Sequence, residues 1–182
     1  MRDILMGGRD KLLYEKVFEA LNGARVRYLV AGGMAVVLYG HARLTIDLDL
    51  ILDLSRTNVL RFVRAMKVIG YQPRPPVRGE DFADLKIRES WRKEKHMAVF
   101  TFDNPGSSSI EVVDVFVCEP LPFRDMYRQK RVQNVRGIKV PLVSMKHLMA
   151  LKKKAARDKD LLDIQELKKL EKWEAIRKKH EA

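Results

Sequence analysis

Apolar residues recur along this chain at two spacings, and the spacing changes several times from one end to the other. Recurrence at every third and fourth position predicts helices, whereas alternation or a short apolar run between turn residues predicts strands. The predicted helices span 9–21, 34–39, 57–69 and 123–129, with two more after 144 that meet near 157–158. The predicted strands span 26–31, 45–54, 96–102 and 110–117, with a small hairpin within 132–140. This order predicts an α+β fold with a mixed β-sheet flanked by helices.

The 182 residues suffice for one domain with a substantial core and a helical extension. No internal repeat or low-complexity linker divides the chain. We therefore expect a main domain over residues 1–143 and a helical C-terminal arm, residues 144–182, packed on it. Trp173 lies at helical spacing from Leu170 and Ile176, which predicts a docking residue in that arm.

The formal net charge of +12 points to polyanionic partners such as nucleic acid, nucleotides or an acidic membrane surface. Much of the excess lies in helical stretches such as KKKAARDK, where basic residues also form ordinary solvated faces. The longest apolar run, Tyr28 to Tyr39, is too short to span a bilayer, and the N-terminus resembles no secretory signal. These features predict a soluble cytoplasmic protein without a membrane partner. The single cysteine, Cys118, follows an apolar run and is expected in the core.

Two carboxylates interrupt an otherwise apolar strand in the stretch GHARLTIDLDLILDL. Side chains alternate along a strand, so Asp47 and Asp49 share one face, about 6.6 Å apart at the backbone, and the intervening leucines bury the other. Carboxylates at this spacing can approach one or two divalent cations, the arrangement that supports in-line phosphoryl transfer. Asp-x-Asp on a half-exposed strand is also compatible with simple surface decoration.

A third carboxylate, Asp114, lies in the later strand IEVVDVF. The residues that share its face, Ile110, Val112 and Phe116, are apolar, so this charge needs a partner. A strand beside the first would bring Asp114 to the other two acids, although an arginine partner would satisfy it equally well.

Upstream of the acids, Gly32 and Gly33 lie between a predicted strand and a predicted helix. A backbone without Cβ atoms lets phosphate oxygens approach the N–H groups at a helix N-terminus. Arg43 and Thr45 supply a guanidinium and a hydroxyl between this turn and the acids, both suited to triphosphate oxygens. A side chain added at Gly33 is therefore expected to block a nucleotide.

The stretch AGGMAVVLYGHARLTIDLDLIL resembles the signature of the nucleotidyltransferase superfamily that includes polymerase β. It is most similar to the minimal nucleotidyltransferases and the AbiEii-type toxins. These families also carry a K-x(4)-R-x-K-D-x-x-D pattern, which here matches Lys152, Arg157, Lys159, Asp160 and Asp163. The stretch from Pro73 to Phe100 matches no part of the family pattern.

The resemblance implies a magnesium-dependent or manganese-dependent enzyme that moves a nucleoside monophosphate from an NTP to a hydroxyl of RNA or tRNA, a protein or a small molecule. Asp47, Asp49 and Asp114 would be the metal-binding and catalytic residues, and the nucleotide-binding residues would be Gly32, Gly33, Arg43, Thr45, Lys152 and Arg157. The toxin relatives imply a possible antitoxin partner.

Two alternatives stay open. The Lys/Asp pairs near residue 160 would also serve simply to link the arm to the domain. The alternative function is that of a protein that keeps the fold but only binds nucleic acid or another partner.

His41 is expected to be a loop residue, because Mg²⁺ prefers oxygen ligands. Signatures of P-loop enzymes, zinc proteases and serine hydrolases are missing from the sequence.

Overall fold

The computed structural model describes residues 6–7, 11–12, 14–107 and 111–180, with the backbone alone at 6–7, 11–12 and 178. The α-helices are α1 (Glu15–Gly23), α2 (Gly32–Leu38), α3 (Arg56–Val68), α4 (Leu85–Glu94), α5 (Phe123–Arg128), α6 (Met145–Ala155) and α7 (Asp158–His180). The strands are β1 (Met6–Gly7), β2 (Lys11–Leu12), β3 (Tyr28–Val30), β4 (Asp47–Leu52), β5 (Gln72–Pro73), β6 (Val99–Asp103), β7 (Val112–Phe116), β8 (Arg131–Val135) and β9 (Ile138–Leu142). A short 3-10 helix, Gly79–Ala83, precedes α4.

A seven-stranded sheet in the order β5-β6-β7-β4-β3-β9-β8 organises the chain. The pairs β4–β7 and β3–β9 are parallel, and the other neighbours in this sheet are antiparallel. The short strands β1 and β2 pair with each other apart from it. The predicted α+β fold with a mixed, helix-flanked sheet is confirmed.

One face of the central strands is apolar and is covered by helices. Leu48 and Leu50 of β4 are fully buried on this face. Phe102 of β6 meets Phe62 of α3 edge to face, with ring centroids 5.2 Å apart, and Phe100 stacks on Trp91 of α4 at 4.9 Å. Strand side chains alternate, so this packing directs Asp47 and Asp49 to the opposite face, as the pattern predicts.

Several elements differ from the sequence prediction, and two of them, β5 and the 3-10 helix Gly79–Ala83, lie in a stretch where no element was predicted. The first helix begins at Glu15 instead of residue 9, because Lys11–Leu12 form β2 and Tyr14 has a left-handed φ of 64°. Residues 8–10 and 13 of the predicted helix lie outside the described part of the chain. The helix α4 was not predicted at all. The buried residues of α4 are Arg88 and Trp91, so it shows no apolar stripe in the sequence.

The helices α6 and α7 contribute Leu148 and Leu167 to the hydrophobic cluster that includes the sheet. The boundary between residues 143 and 144 stays a prediction. Two predicted environments are wrong. Cys118 is exposed, because β7 ends at Phe116 and the chain leaves the sheet before it. Trp173 is 70% exposed and Ile176 is 49% exposed, so the apolar face that they share is not buried against the described part of the domain. Among the described helices, none has both the length and the apolar character to cross a membrane.

Candidate active site

The three predicted carboxylates lie on one face of two neighbouring strands. The strands β4 and β7 are parallel, with Asp49 directly opposite Asp114 and Asp47 opposite Val112. Asp47 is exposed, whereas Asp49 and Asp114 are partly buried. The predicted adjacency of these strands is therefore correct. It places Asp49 opposite Asp114, although the two residues are 65 positions apart in the sequence.

A threonine that the sequence analysis missed continues this row onto a third strand. Thr101 of β6 lies opposite Asp114, and its hydroxyl donates a hydrogen bond of 2.6 Å to Oδ1 of Asp114. The bond holds one carboxylate oxygen and leaves Oδ2 for another partner. Only the register of the β6–β7 hairpin reveals this pairing, since nothing in the local sequence distinguishes Thr101 from an ordinary strand residue.

Gly32 is required by the close approach of Asp49. Its φ of +59° is left-handed, and a Cβ built on it would lie 1.8 Å from Oδ2 of Asp49. No side chain fits in that space, and an L-residue also disfavours the backbone conformation. Gly32, the first of the predicted nucleotide-binding residues, therefore contacts the acid cluster directly.

Gly33 packs against the other two predicted nucleotide-binding residues. A Cβ at this position would lie 2.6 Å from Oγ1 of Thr45 and 3.3 Å from Cζ of Arg43. The sequence predicted a helix that begins after the two glycines, but both lie within the first turn of α2. The space beside Gly33 is occupied by protein side chains, so the expected effect of a larger residue there includes displacement of Thr45 and Arg43 as well as obstruction of a ligand.

The carboxylates influence one another electrostatically. Burial, followed by the neighbouring charges of Asp114 and Asp47, raises the pKa of Asp49 to about 6, and the more distant Lys152 and Arg157 act in the opposite direction. Within the described residues, the three carboxylates form no ion pair. A cation placed between them would relieve this repulsion.

The predicted arm residues form a buried ionic network. Nζ of Lys152 lies 2.6 Å from Oδ2 of Asp163 and 3.2 Å from Oδ1 of Asp160. Nε of Arg157 donates to Oδ2 of Asp160 at 2.6 Å. Arg43 in the segment before β4 also pairs with Asp163. The network therefore links α6 and α7 to the segment that leads into the acids, which is the linking role that the sequence left open.

Lys152 and Arg157 nevertheless lie at the site. They line one cavity together with Gly32 and Asp49. His41 is in the loop between α2 and β4, as predicted, with Nδ1 3.8 Å from a carboxylate oxygen of Glu166. All the predicted site residues are thus gathered at one end of α2 or in the adjoining ionic network.

Tyr14 fixes the beginnings of both acid-bearing strands. Its buried hydroxyl accepts the N–H of Val112 at 3.0 Å and lies within hydrogen-bonding distance of the carbonyls of Val112 and Ile46. Ile46 directly precedes Asp47. Sequence reasoning missed this residue, because its role depends on contacts between segments about a hundred residues apart.

Comparisons with known proteins support the fold. No known protein-family model and no curated protein matches the sequence. Solved structures do match. The lincosamide antibiotic adenylyltransferase LnuA, bound to lincomycin, has a TM-score of 0.55 and 15% identity, covering 87% of this chain and 98% of that chain. A candidate nucleotidyltransferase from Thermotoga maritima has a TM-score of 0.53 and 15% identity, covering 92% and 98%.

A third match is ANT(2'')-Ia in complex with adenylyl-2''-tobramycin, with a TM-score of 0.53, 12% identity and coverage of 92% of this chain and 95% of that chain. Identities this low show a common fold and not a common substrate. The protein therefore has the nucleotidyltransferase fold.

Proposed function

We propose that this protein is a metal-dependent nucleotidyltransferase that moves a nucleoside monophosphate from an NTP to a hydroxyl acceptor. The observation that carries the proposal is the opposition of Asp49 and Asp114 on adjacent parallel strands, with Asp47 on the same face. A cluster of like charges without cationic partners is unfavourable unless it binds something positive. The structural neighbour named as an adenylyltransferase adds support from the fold.

The residues fit Mg²⁺ or Mn²⁺. Carboxylate oxygens are suitable ligands, and repulsion within the cluster favours a cation. Within the described part of the chain, no group of three acidic, histidine or cysteine side chains is arranged to hold a metal ion by itself. Mg²⁺ in nucleotide enzymes is usually held by one or two carboxylates together with substrate phosphates and water. We therefore assign Asp47, Asp49 and Asp114 to ions that bind the carboxylates directly and whose coordination the triphosphate completes.

In the proposed reaction, the acceptor oxygen forms a bond to the α-phosphorus of the NTP. The bond from that phosphorus to the bridging oxygen breaks, and pyrophosphate leaves with the electron pair. Asp47, Asp49 and Asp114 would hold a divalent cation, which would supply Lewis acidity to lower the pKa of the acceptor hydroxyl and positive charge to screen the phosphates. Asp114 accepts the hydroxyl proton at Oδ2, because Thr101 already occupies Oδ1.

We assign the triphosphate to the first turn of α2, where Gly32 and Gly33 carry no Cβ and Thr45 and Arg43 lie beside Gly33. Arg43 is already paired with Asp163, so it can bind a phosphate only if it contacts both groups or breaks that ion pair. Its role therefore includes holding the segment before β4 in place. Arg157 lies beside the same cavity, with a side chain 61% exposed, and is available to the leaving pyrophosphate. Lys152 is buried and acts by positioning the network.

The sequence left RNA or tRNA, protein and small molecules open as the acceptor, and the structural neighbours favour one of these classes. Two structural neighbours have small molecules bound, lincomycin and an adenylylated tobramycin. We therefore favour a small-molecule hydroxyl over RNA, tRNA or protein. Membership of the AbiEii-type toxin group, and with it an antitoxin partner, rests on the sequence resemblance alone.

The test is transfer of label from each α-labelled NTP, with Mg²⁺ or Mn²⁺, to a small-molecule extract, total RNA or total protein. Wild type should transfer label from at least one NTP, and Asp49→Asn should reduce transfer by about a hundredfold or more, since about 2.7 kcal/mol of metal-assisted stabilisation corresponds to that factor. Mn²⁺ should raise the melting temperature of wild type but not of the variant, because an ion that binds only the folded state stabilises it.

Asp53→Asn is the matched control. Asp53 follows the same strand but pairs with Arg27 on the surface, away from the cluster. It should retain both transfer and the response to Mn²⁺. Equal transfer by wild type and Asp49→Asn, with an unchanged thermal response to Mn²⁺, would overturn the proposal.

A further inference from the structure

A cavity of about 580 Å³ opens beside the acid cluster. Gly32 and Asp49 form part of its wall, so a ligand in it has one end at the reacting groups. This volume lies within the range of small-molecule sites, which is about 300–1,000 Å³. The cavity extends from Asp49 past the end of β7 to the last turn of α4.

Much of the cavity wall is apolar. Met97 and Phe116 contribute from the adjoining ends of β6 and β7, and Leu148 and Leu151 contribute from α6. A ligand with an apolar or aromatic part gains free energy by removing this surface from water. The wall therefore favours a molecule that is not uniformly polar.

Cationic side chains from separate elements surround the same cavity. Arg92 comes from α4, Lys154 from α6 and Arg157 from the junction of α6 and α7. Among the described residues, neither Arg92 nor Lys154 has a carboxylate within ion-pair distance. Arg157 shares Asp160 with Lys152. The helix α4 lies in the stretch from Pro73 to Phe100, which matches no part of the family pattern.

Around the cavity, cationic side chains outnumber carboxylates. The ionic network has three cations, Arg43, Lys152 and Arg157, against the two carboxylates of Asp160 and Asp163. Glu119 also lines the cavity, but its carboxylate accepts the N–H of Phe123 at the start of α5. With Asp49 assigned to a metal ion, Arg92 and Lys154 outnumber Glu119.

We propose that this cavity binds the acceptor, and that the acceptor is a small molecule with an apolar part and an anionic group, a carboxylate or a phosphate ester. Its anionic group contacts Arg92 and Lys154, its apolar part packs on the leucines of α6, and its hydroxyl faces Asp49. This assignment rests on the proposed nucleotidyl transfer, because it names the acceptor of that reaction.

The test uses two fluorescent probes with the same aromatic body, 8-anilinonaphthalene-1-sulfonate, which is anionic, and N-phenyl-1-naphthylamine, which is neutral. The double variant Arg92→Gln/Lys154→Gln should bind the anionic probe about tenfold more weakly than wild type, equivalent to about 1.4 kcal/mol. Its affinity for the neutral probe should be unchanged. The control Lys93→Gln/Lys153→Gln removes the same charge from neighbouring exposed positions that do not line the cavity. It should bind both probes as wild type does.

A second arm separates the acceptor from the nucleotide as occupant. The anionic probe should stay bound when Mg²⁺ and the NTP identified by the transfer assay are added at saturation. Displacement by that NTP would assign the cavity to the nucleotide itself and overturn the proposal. So would equal weakening in both double variants, or a wild type that does not bind the anionic probe. Failure of the proposed function shows separately, in the transfer assay with wild type and Asp49→Asn.

Discussion

Replacing Gly32 by alanine tests the contact between α2 and the acid cluster, because the structure predicts two separable effects at this position. The left-handed φ of +59° is unfavourable for any L-residue, by about 1–2 kcal/mol. The new Cβ would also lie 1.8 Å from Oδ2 of Asp49, so the carboxylate or the helix must move, and overpacking of this kind costs about 1–3 kcal/mol. The sum is about 2–5 kcal/mol, or a fall of about 4–20 °C in melting temperature for a chain of this size.

Gly137→Ala is the control for the backbone effect alone. Its φ is +89°, and a Cβ there would meet nothing within 4 Å. It should lower stability by about 1–2 kcal/mol without affecting Mn²⁺ binding. Urea unfolding gives the free energies, and calorimetric titration with Mn²⁺ shows whether Asp49 is displaced. In the double variant Gly32→Ala/Asp49→Ala the clash with the carboxylate is removed and only the 2.9 Å approach to Cβ of residue 49 remains, so its destabilisation should be smaller than the sum of the single changes.

The reasoning fails if Gly32→Ala is as stable as Gly137→Ala and binds Mn²⁺ as wild type does. Strict additivity in the double variant would likewise show that position 32 and Asp49 do not interact. Either result would remove the close approach as the reason for a glycine at this position.

Three further predictions concern the neighbouring groups. Thr101→Val should weaken Mn²⁺ binding about tenfold in the same calorimetric titration, because the hydroxyl orients Asp114, whereas Thr101→Ser should retain the affinity. Lys152→Met should destabilise the fold by about 3 kcal/mol in urea unfolding, the lower end of the cost of breaking a buried ion pair, since Asp160 and Asp163 lose Lys152 but keep Arg157 and Arg43. Retention of wild-type stability would contradict this. Burial acts to raise the pKa of Asp160, but hydrogen bonds from Arg157 and Lys152 outweigh it and lower the pKa. The stabilisation is therefore fully present above the unfolded pKa of about 3.9 and is lost as pH falls below it, and Asp160→Asn should reduce that acid-induced loss in pH-dependent unfolding.

Local pattern was sufficient to place the acids. Alternation along β4 put Asp47 and Asp49 on one face, and a lone charge in β7 identified Asp114 before any pairing was known. These inferences depend on the two-residue period of a strand, which is a property of the local chain. The hairpins and the division between α6 and α7 were also predicted, because glycines and helix-capping residues mark them in the sequence.

The rest depends on contacts that the sequence does not specify. Thr101 became recognisable only once the register of β6 with β7 was known. The helix α4 escaped prediction because Arg88 is buried on its packed side, where Nη1 donates to the carbonyl of Phe82 at 2.6 Å. Trp173 was assigned to a docking face by spacing alone, although spacing does not reveal whether any surface lies opposite.

The hydrogen bonds of Tyr14 also have a consequence for the time at which the acid cluster forms. They join residues 98 positions apart, Tyr14 and Val112, and the beginnings of both acid-bearing strands depend on them. Contacts of such large sequence separation require closure of a long loop and are slow to form. A chain emerging from the ribosome must release Val112 before Tyr14 can bind it, so the helices near the N-terminus can form while the acids are still apart. Newly made molecules can therefore begin to fold before Asp49 and Asp114 are brought together.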